Sequence, residues 1–91
     1  MTKAEVISQI AKETGIERVV IGQVVESFME TVKGSLVKKE NVYLRGFGTF
    51  LVKHRAKKVA RNISKNTTIT IAAHSIPAFK PAKSFVKDIK G

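Results

Sequence analysis

The chain has 91 residues, enough for one small domain, and 43% of them are hydrophobic, which excludes a wholly disordered protein. Its 17 Lys and Arg outnumber its 7 Asp and Glu, giving a formal net charge of +10 and predicting a polyanionic partner. It contains no cysteine, so disulfides and thiolate metal sites are excluded.

The excess positive charge lies in the second part of the chain. Residues 1–40 contain six basic and six acidic residues, whereas residues 41–91 contain eleven basic residues and one acid, Asp88. This asymmetry predicts a neutral scaffold that carries a basic binding surface.

Two helices are predicted in the neutral part. Thr2 and Glu5 have the spacing of a capping box, and Gly15 is suited to a left-handed C-terminal position, so the first helix should span about residues 3–14. The second should span about residues 18–38, because apolar residues recur there at helical spacing. Its apolar stripe consists of Ile21, Val24, Val25, Phe28, Met29, Val32 and Leu36.

These helices are expected to form an antiparallel hairpin. A helix-turn-helix reader of the major groove is the alternative. The second helix carries mainly apolar residues together with Glu26 and Glu30, which suits a core better than a DNA groove.

From Asn41 the hydrophobic period changes to two, which predicts strands. Gly46-Phe47-Gly48 interrupts the pattern and predicts a hairpin turn. The two glycines either hold a phosphate through backbone N–H groups or are needed only for the turn, and spacing alone fits both. The second strand is expected to start at Thr49 and continue without a break into a basic segment at residues 53–65.

The basic segment contains six Lys and Arg and no acid. In a continuous strand its odd positions would share one face, placing cations about 7 Å apart, close to the spacing of phosphates along DNA. A solvated charged loop is the alternative. We predict a chain reversal near residues 62–66 and a return strand over residues 67–71, which together make a two-stranded arm.

The chain should leave this ribbon at residues 76–79. Pro81 then suits the first turn of a last helix, predicted from Ser84 to Lys90 with Phe85, Val86 and Ile89 pointing inward. Without the arm, about 65 residues remain, too few to bury the apolar surface predicted for the second helix. We therefore expect an obligate homodimer with two projecting arms.

Several motifs together resemble the HU/integration-host-factor family of bacterial histone-like proteins, and HU in particular. They are Gly46-Phe47-Gly48-Thr49-Phe50, Arg55, Arg61-Asn62, Ile71-Ala72-Ala73, and Pro77-Ala78-Phe79 followed by a lysine-rich helix. The resemblance covers the whole chain.

This resemblance implies one α+β domain over residues 1–91 that forms an intertwined dimer. Residues 1–40 would form a helical-hairpin base for dimerisation. Residues 41–76 would form an antiparallel β-sheet saddle and an extended β-ribbon arm, and residues 77–91 would contain the short C-terminal helix. It also implies a protein that binds the minor groove of duplex DNA, bends it and compacts the bacterial nucleoid.

The tip of the arm departs from the family pattern. The family typically has Arg-Asn-Pro there, with an apolar residue that inserts between base pairs, whereas this chain has Arg61-Asn62-Ile63. We expect Ile63 to act as the intercalating wedge, although it is bulkier than proline and adds a backbone N–H. The alternative is that Ile63 folds back onto the arm.

The expected DNA-binding residues form two groups. The arm contributes Lys53, Arg55, Lys57, Lys58, Arg61, Asn62, Ile63 and Lys65, and the rest of the chain contributes Lys3, Gly46, Lys80, Lys83 and Lys87. Because the minor groove presents a degenerate pattern, sequence preference should be weak. Bent, nicked or otherwise distorted duplexes should bind better, since part of the deformation energy is already supplied.

No enzymatic activity, metal, cofactor or small-molecule substrate is predicted. His54 and His74 are isolated histidines, and Asp88 has no carboxylate partner in the basic part. The alternative functions are a site-specific subunit like integration host factor, or an RNA-binding basic module. The arm lacks the aromatic side chains on which RNA readers stack bases, which disfavours the second.

The sequence also indicates where in the cell the protein is expected. The N-terminus lacks the apolar core of a secretory signal, and no apolar run approaches the roughly 20 residues of a spanning helix. We therefore expect a cytoplasmic, nucleoid-associated protein with no membrane partner.

Overall fold

The structure, a computed structural model, describes the backbone of residues 1–62 and 67–91 and the side chains of residues 1–59 and 70–91. The chain divides into two compact units, Met1–Gly34 and Ser35–Gly91, which are described separately. The elements in chain order are α1 Lys3–Thr14, α2 Arg18–Val37, β1 Val42–Leu44, β2 Gly48–Arg55, β3 Lys58–Asn62, β4 Thr67–Ile71, β5 His74–Pro81 and α3 Lys83–Lys90. This combination confirms the predicted α+β class.

Local signals determine where α1 begins and ends. The Thr2 hydroxyl accepts the Glu5 backbone N–H at 3.2 Å, as an N-cap residue does. The predicted capping box is only half formed, because the Glu5 carboxylate accepts the Thr2 hydroxyl at 3.2 Å instead of reaching back to a backbone N–H. At the other end, Gly15 has φ 74° and donates its N–H to the Ala11 carbonyl at 2.9 Å. An ion pair between Lys3 and Glu26 joins α1 to α2.

The apolar stripe of α2 is only partly covered within one chain. Ile21 and Val32 are buried, whereas Val24 and Phe28 remain 62% and 45% exposed. The helix ends at Val37, one residue earlier than predicted. A folded single chain thus leaves part of the stripe open to water.

Strands β1, β2 and β5 form an antiparallel sheet with β2 in the middle. The prediction that the chain leaves the ribbon at residues 76–79 was wrong, because these residues lie inside β5 and pair with β2. The helical position predicted for Pro81 was also wrong. Pro81 ends β5 opposite Gly48, and α3 begins at Lys83 after the N-cap residue Ala82. A proline suits the end of an edge strand as well as a helix start, so its presence did not decide between the two.

The arm is a separate two-stranded sheet made of β3 and β4. The prediction of one unbroken strand from Thr49 through the basic segment was wrong, since β2 ends at Arg55 and β3 begins at Lys58. The predicted return strand at Thr67–Ile71 is confirmed as β4. The predicted chain reversal falls mostly on residues 63–66, which lie outside the described residues.

An aromatic cluster joins α3 to the sheet. The ring of Phe47 lies 5.1 Å from that of Phe79 and 5.4 Å from that of Phe85, and Phe50 lies 4.9 Å from Phe79, all measured between centroids. The Ala82 N–H donates to the Phe47 carbonyl at 2.9 Å, which fixes the start of α3 against the hairpin turn. Phe85 and Val86, predicted to point inward, are half-buried, whereas Ile89, predicted to do the same, is 76% exposed.

Candidate nucleic-acid interface

The β1–β2–β5 sheet has two chemically different faces. Residues directly opposite each other in antiparallel strands project to the same side. Phe50 pairs with Phe79, so one side of the sheet belongs to the aromatic cluster. The other side carries Lys53, Arg55, His74 and Lys80, which we call the basic face.

Strand register sets the spacing of the basic face. Lys53 and Arg55 are two positions apart on β2, so their side chains share one face. Their backbones are about 7 Å apart, as predicted. Arg55 lies directly opposite His74 on β5. The predicted single row of odd positions does not continue past Arg55, because the break at residues 56–57 separates it from β3.

The cations before, within and after this break nevertheless lie close together. Arg55, Lys57, Lys58 and His74 line one shallow depression where the β2–β5 ladder gives way to the arm. All four side chains are exposed. Nδ1 of His74 lies 3.0 Å from the Ala72 carbonyl oxygen, and a hydrogen bond there requires the proton on Nδ1.

The hairpin turn forms a second basic region. The Phe47 N–H donates to the Leu44 carbonyl at 3.0 Å, and Gly46 has φ 82°, the left-handed value that the third position of a type II turn requires. A shallow depression beside the turn is lined by residues that include Gly46, Lys80 and Lys83. Three of the DNA-binding residues predicted outside the arm therefore lie together.

The same depression contains residues that the sequence prediction missed. Arg45 and Tyr43 both line it, and both are exposed. Their alternation with Val42 and Leu44 was visible in the sequence, but the pairing that places Tyr43 opposite Thr49, and Thr49 opposite Lys80, was not.

The remaining predicted site residues have different environments. Lys87 is exposed on α3, one helical turn after Lys83. Lys3 belongs to the first unit, where it pairs with Glu26. Arg61 and Asn62 belong to the backbone of β3, but their side chains, like all of Ile63 and Lys65, lie outside the described residues.

No ion pair is found among the described side chains of the second unit. Among the described side chains, both ion pairs, Lys3–Glu26 and Lys33–Glu30, fall in the first unit. The single acid after Glu40 is Asp88, on α3. The basic face therefore presents charge that internal pairing does not neutralise.

The described part of the chain offers neither a membrane span nor a metal site. No helix there is long and apolar enough to cross a membrane. Nor do three or more His, Asp or Glu side chains gather within the described residues, as a metal site would require.

The whole sequence agrees with this picture of a basic interface. Residues 1–90 match the family model described as bacterial DNA-binding protein. The chain belongs to this family.

Individual relatives support the same assignment. The chain is 42% identical over 84 residues to DNA-binding protein HU-beta of Pseudomonas aeruginosa, covering 92% of this chain and 93% of that protein. It is 33% identical over 90 residues to DNA-binding protein HU of Thermotoga maritima, covering 99% and 100%. These relatives confirm the family resemblance inferred from the sequence motifs.

The fold is also similar to solved structures of the family. An Anabaena HU–DNA cocrystal structure matches with a TM-score of 0.90 and 27% identity, covering 98% of this chain and 97% of that chain. A mutant of HU from Thermotoga maritima matches with a TM-score of 0.74 and 25% identity, covering 98% and 99%.

Proposed function

We propose that this protein is an architectural DNA-binding protein that acts as a homodimer, bends duplex DNA without sequence specificity and organises the bacterial nucleoid. The observation that carries the proposal is a sheet face with unneutralised cations in a chain of the bacterial DNA-binding protein family. Its activity is binding and bending, not catalysis.

Affinity in this proposal comes mainly from phosphate contacts. Lys53, Arg55 and Lys80 on the basic face, with Lys57 and Lys58 beside it, neutralise phosphates and release condensed counterions. The arm enters the minor groove, whose degenerate hydrogen-bonding pattern gives little sequence information. Binding therefore depends on the shape and flexibility of the duplex more than on its sequence.

Bending in this proposal follows from contacts outside the arm. Lys83 and Lys87 on α3, Gly46 at the turn and Lys3 of the first unit hold the flanking DNA, so a bent duplex gains contacts that a straight one does not make. A nick or gap lowers the deformation energy and strengthens binding. The relatives named above carry the HU name, so neither a site-specific integration-host-factor-like role nor an RNA-binding role gains support.

The tip of each arm supplies the kink. Arg61, Asn62 and Lys65 contact the groove beside the step that Ile63 opens, since an apolar wedge partly unstacks neighbouring base pairs. Partial unstacking costs a few kcal/mol per step, which the added contacts of the bent DNA offset.

The salt dependence of binding tests the phosphate contacts. If a dimer neutralises roughly six to ten phosphates, log K should fall with log[salt] with a slope of about −5 to −9. Arg55→Gln should weaken binding to unrelated duplex sequences equally and reduce the magnitude of the slope by about 1 for each phosphate that is no longer neutralised. Fluorescence anisotropy of labelled duplexes over a salt series measures both quantities.

Lys12→Gln is the matched control, because Lys12 is an exposed cation on α1 that is not among the proposed contacts. It should leave the slope unchanged. An affinity that does not depend on salt, or an identical effect of the two substitutions, would contradict the assignment of the basic face.

A further inference from the structure

Tyr43 is an aromatic side chain whose position the packing of the sheet does not explain. It stands on β1, the edge strand, and is 74% exposed. Phe47, Phe50, Phe79 and Phe85 form the aromatic cluster, and Tyr43 pairs with Thr49, so it projects from the side opposite to Phe50 and Phe79.

Three cations line the same depression as the exposed ring. Tyr43, Thr49 and Lys80 form a row straight across the three strands, and two interstrand spacings separate the backbones of Tyr43 and Lys80 by about 10 Å. Arg45 and Lys83 line the same depression as Tyr43. A flat aromatic surface beside long cationic side chains is the combination that holds single-stranded nucleic acid, where the base stacks and the phosphates are neutralised.

The hydroxyl of Tyr43 keeps hydrogen-bonding capacity in this arrangement. Nδ2 of Asn41 donates to the Tyr43 oxygen at 3.3 Å, so the phenolic proton is left to donate elsewhere. The hydrogen bond with Asn41 also restrains the ring at the sheet edge, which lowers the entropy lost when a base stacks on it.

We infer that Tyr43, with Arg45 and Lys80, forms a stacking site for one unpaired base adjoining the duplex that the basic face binds. Bases inside an intact duplex are stacked on both sides, so the ring of Tyr43 can stack only on a base exposed at a gap, flap or overhang. The site adds a contact that distinguishes such DNA from intact duplex. This inference rests on the proposed function, because the basic face must first hold the duplex part.

The chain offers a direct optical probe of stacking. It has one tyrosine and no tryptophan, so the intrinsic tyrosine fluorescence comes from Tyr43 alone. This emission should decrease when the full-length protein binds a duplex with a three-nucleotide gap and change much less when it binds the same duplex without the gap.

Substitution separates stacking from duplex binding. Stacking of one base corresponds to roughly tenfold or more in affinity, so Tyr43→Ala should bind the gapped duplex about tenfold more weakly and the intact duplex within about twofold of the wild type. Tyr43→Phe, which keeps the ring, should retain most of the preference for gapped DNA. Competition binding measured by anisotropy gives each ratio.

Two results would overturn the stacking site: equal losses on both DNAs with Tyr43→Ala, or a Tyr43 emission that does not distinguish the gapped duplex. Failure of the wild type to bind the intact duplex would instead contradict the proposed function itself, so the two failures are distinguishable.

Discussion

At the scale of single residues, the two glycines of the hairpin have different roles. Gly46 provides the positive φ of the turn, whereas φ at Gly48 is not in the left-handed region. At Gly48 the reason is space: an added Cβ would lie 2.5 Å from Cζ of Phe79 and 2.6 Å from the Lys80 carbonyl oxygen. That carbonyl cannot move without shifting β5, so Gly48 sets how closely β2 and β5 approach beside the aromatic cluster.

This close approach makes Gly48→Ala destabilising. The substitution should lower the free energy of unfolding by about 1–3 kcal/mol, the usual range for overpacking, as measured by urea denaturation. Gly34→Ala is the control, because a Cβ there meets nothing within 4 Å and Ala is favoured over Gly in a helix. A Gly48→Ala protein as stable as the wild type would show that the sheet relaxes at no cost.

At the scale of elements, the end of α2 contains a strained residue. Lys39 has φ 65°, and Glu40 N–H donates to the Ser35 carbonyl and Lys39 N–H to the Leu36 carbonyl, each at 2.9 Å. These two bonds define a Schellman motif, whose left-handed position is usually a glycine. Here a lysine occupies it, although the left-handed conformation is unfavourable for an L-residue with a Cβ.

Lys39→Gly should therefore stabilise the protein. The relief of backbone strain exceeds the extra chain entropy of glycine by about 0.5–1 kcal/mol. Thermal unfolding should show a higher midpoint. Lys38→Gly, at the neighbouring position without a positive φ, should lower it, and the opposite order of the two variants would contradict the assignment of Lys39 as the strained residue.

Elements with local sequence signals were predictable from the sequence, whereas boundaries set by strand register were not. Thr2 and Gly15 placed the ends of α1 correctly, because caps act within one turn. The extent of β5 depends on its register with β2, which no residue near Ile76 encodes. The break between β2 and β3 at Ala56 and Lys57 contains no glycine or proline, so no local signal indicated it.

The candidate site also has features that local sequence signals predicted and features that depend on strand pairing. Composition and the basic segment indicated which part of the chain carries the binding cations. The two-residue spacing of Lys53 and Arg55 placed both side chains on one face of a strand. The position of Lys80 on that face, and the nearness of Arg45 and Tyr43, arise from strand pairing across the sheet. Local residue patterns show which side chains share a face of one strand, but not how two strands are aligned.

At the scale of the whole molecule, the partly exposed apolar stripe of α2 indicates that a second copy of the chain packs against it. Val24 and Phe28 are 62% and 45% exposed, although Ile21 and Val32 on the same stripe are buried. Exposed apolar surface of this kind marks protein interfaces. A homodimer covers it and explains how so small a chain is stable.

A charge placed in the stripe should prevent association. Val24→Asp should convert the dimer to a monomer at micromolar concentration and lower the thermal midpoint, because the aspartate would have to be buried without a partner. Sedimentation velocity measures the change in mass. Gln23→Asp is the matched control, since Gln23 is exposed on the side of α2 opposite the stripe, and it should remain dimeric. A dimeric Val24→Asp protein would place the interface elsewhere.

The central claim, that the protein bends DNA, is tested most directly by resonance energy transfer between dyes at the two ends of a short duplex, intact or nicked. The wild type should raise the transfer efficiency on both DNAs and bind the nicked one more tightly, for duplexes of unrelated sequence. Ile63→Asp should bind at low salt but raise the efficiency less, because a charged side chain does not insert between base pairs. Saturating binding by the wild type with no change in transfer efficiency would contradict the account and leave a basic protein that coats DNA without bending it.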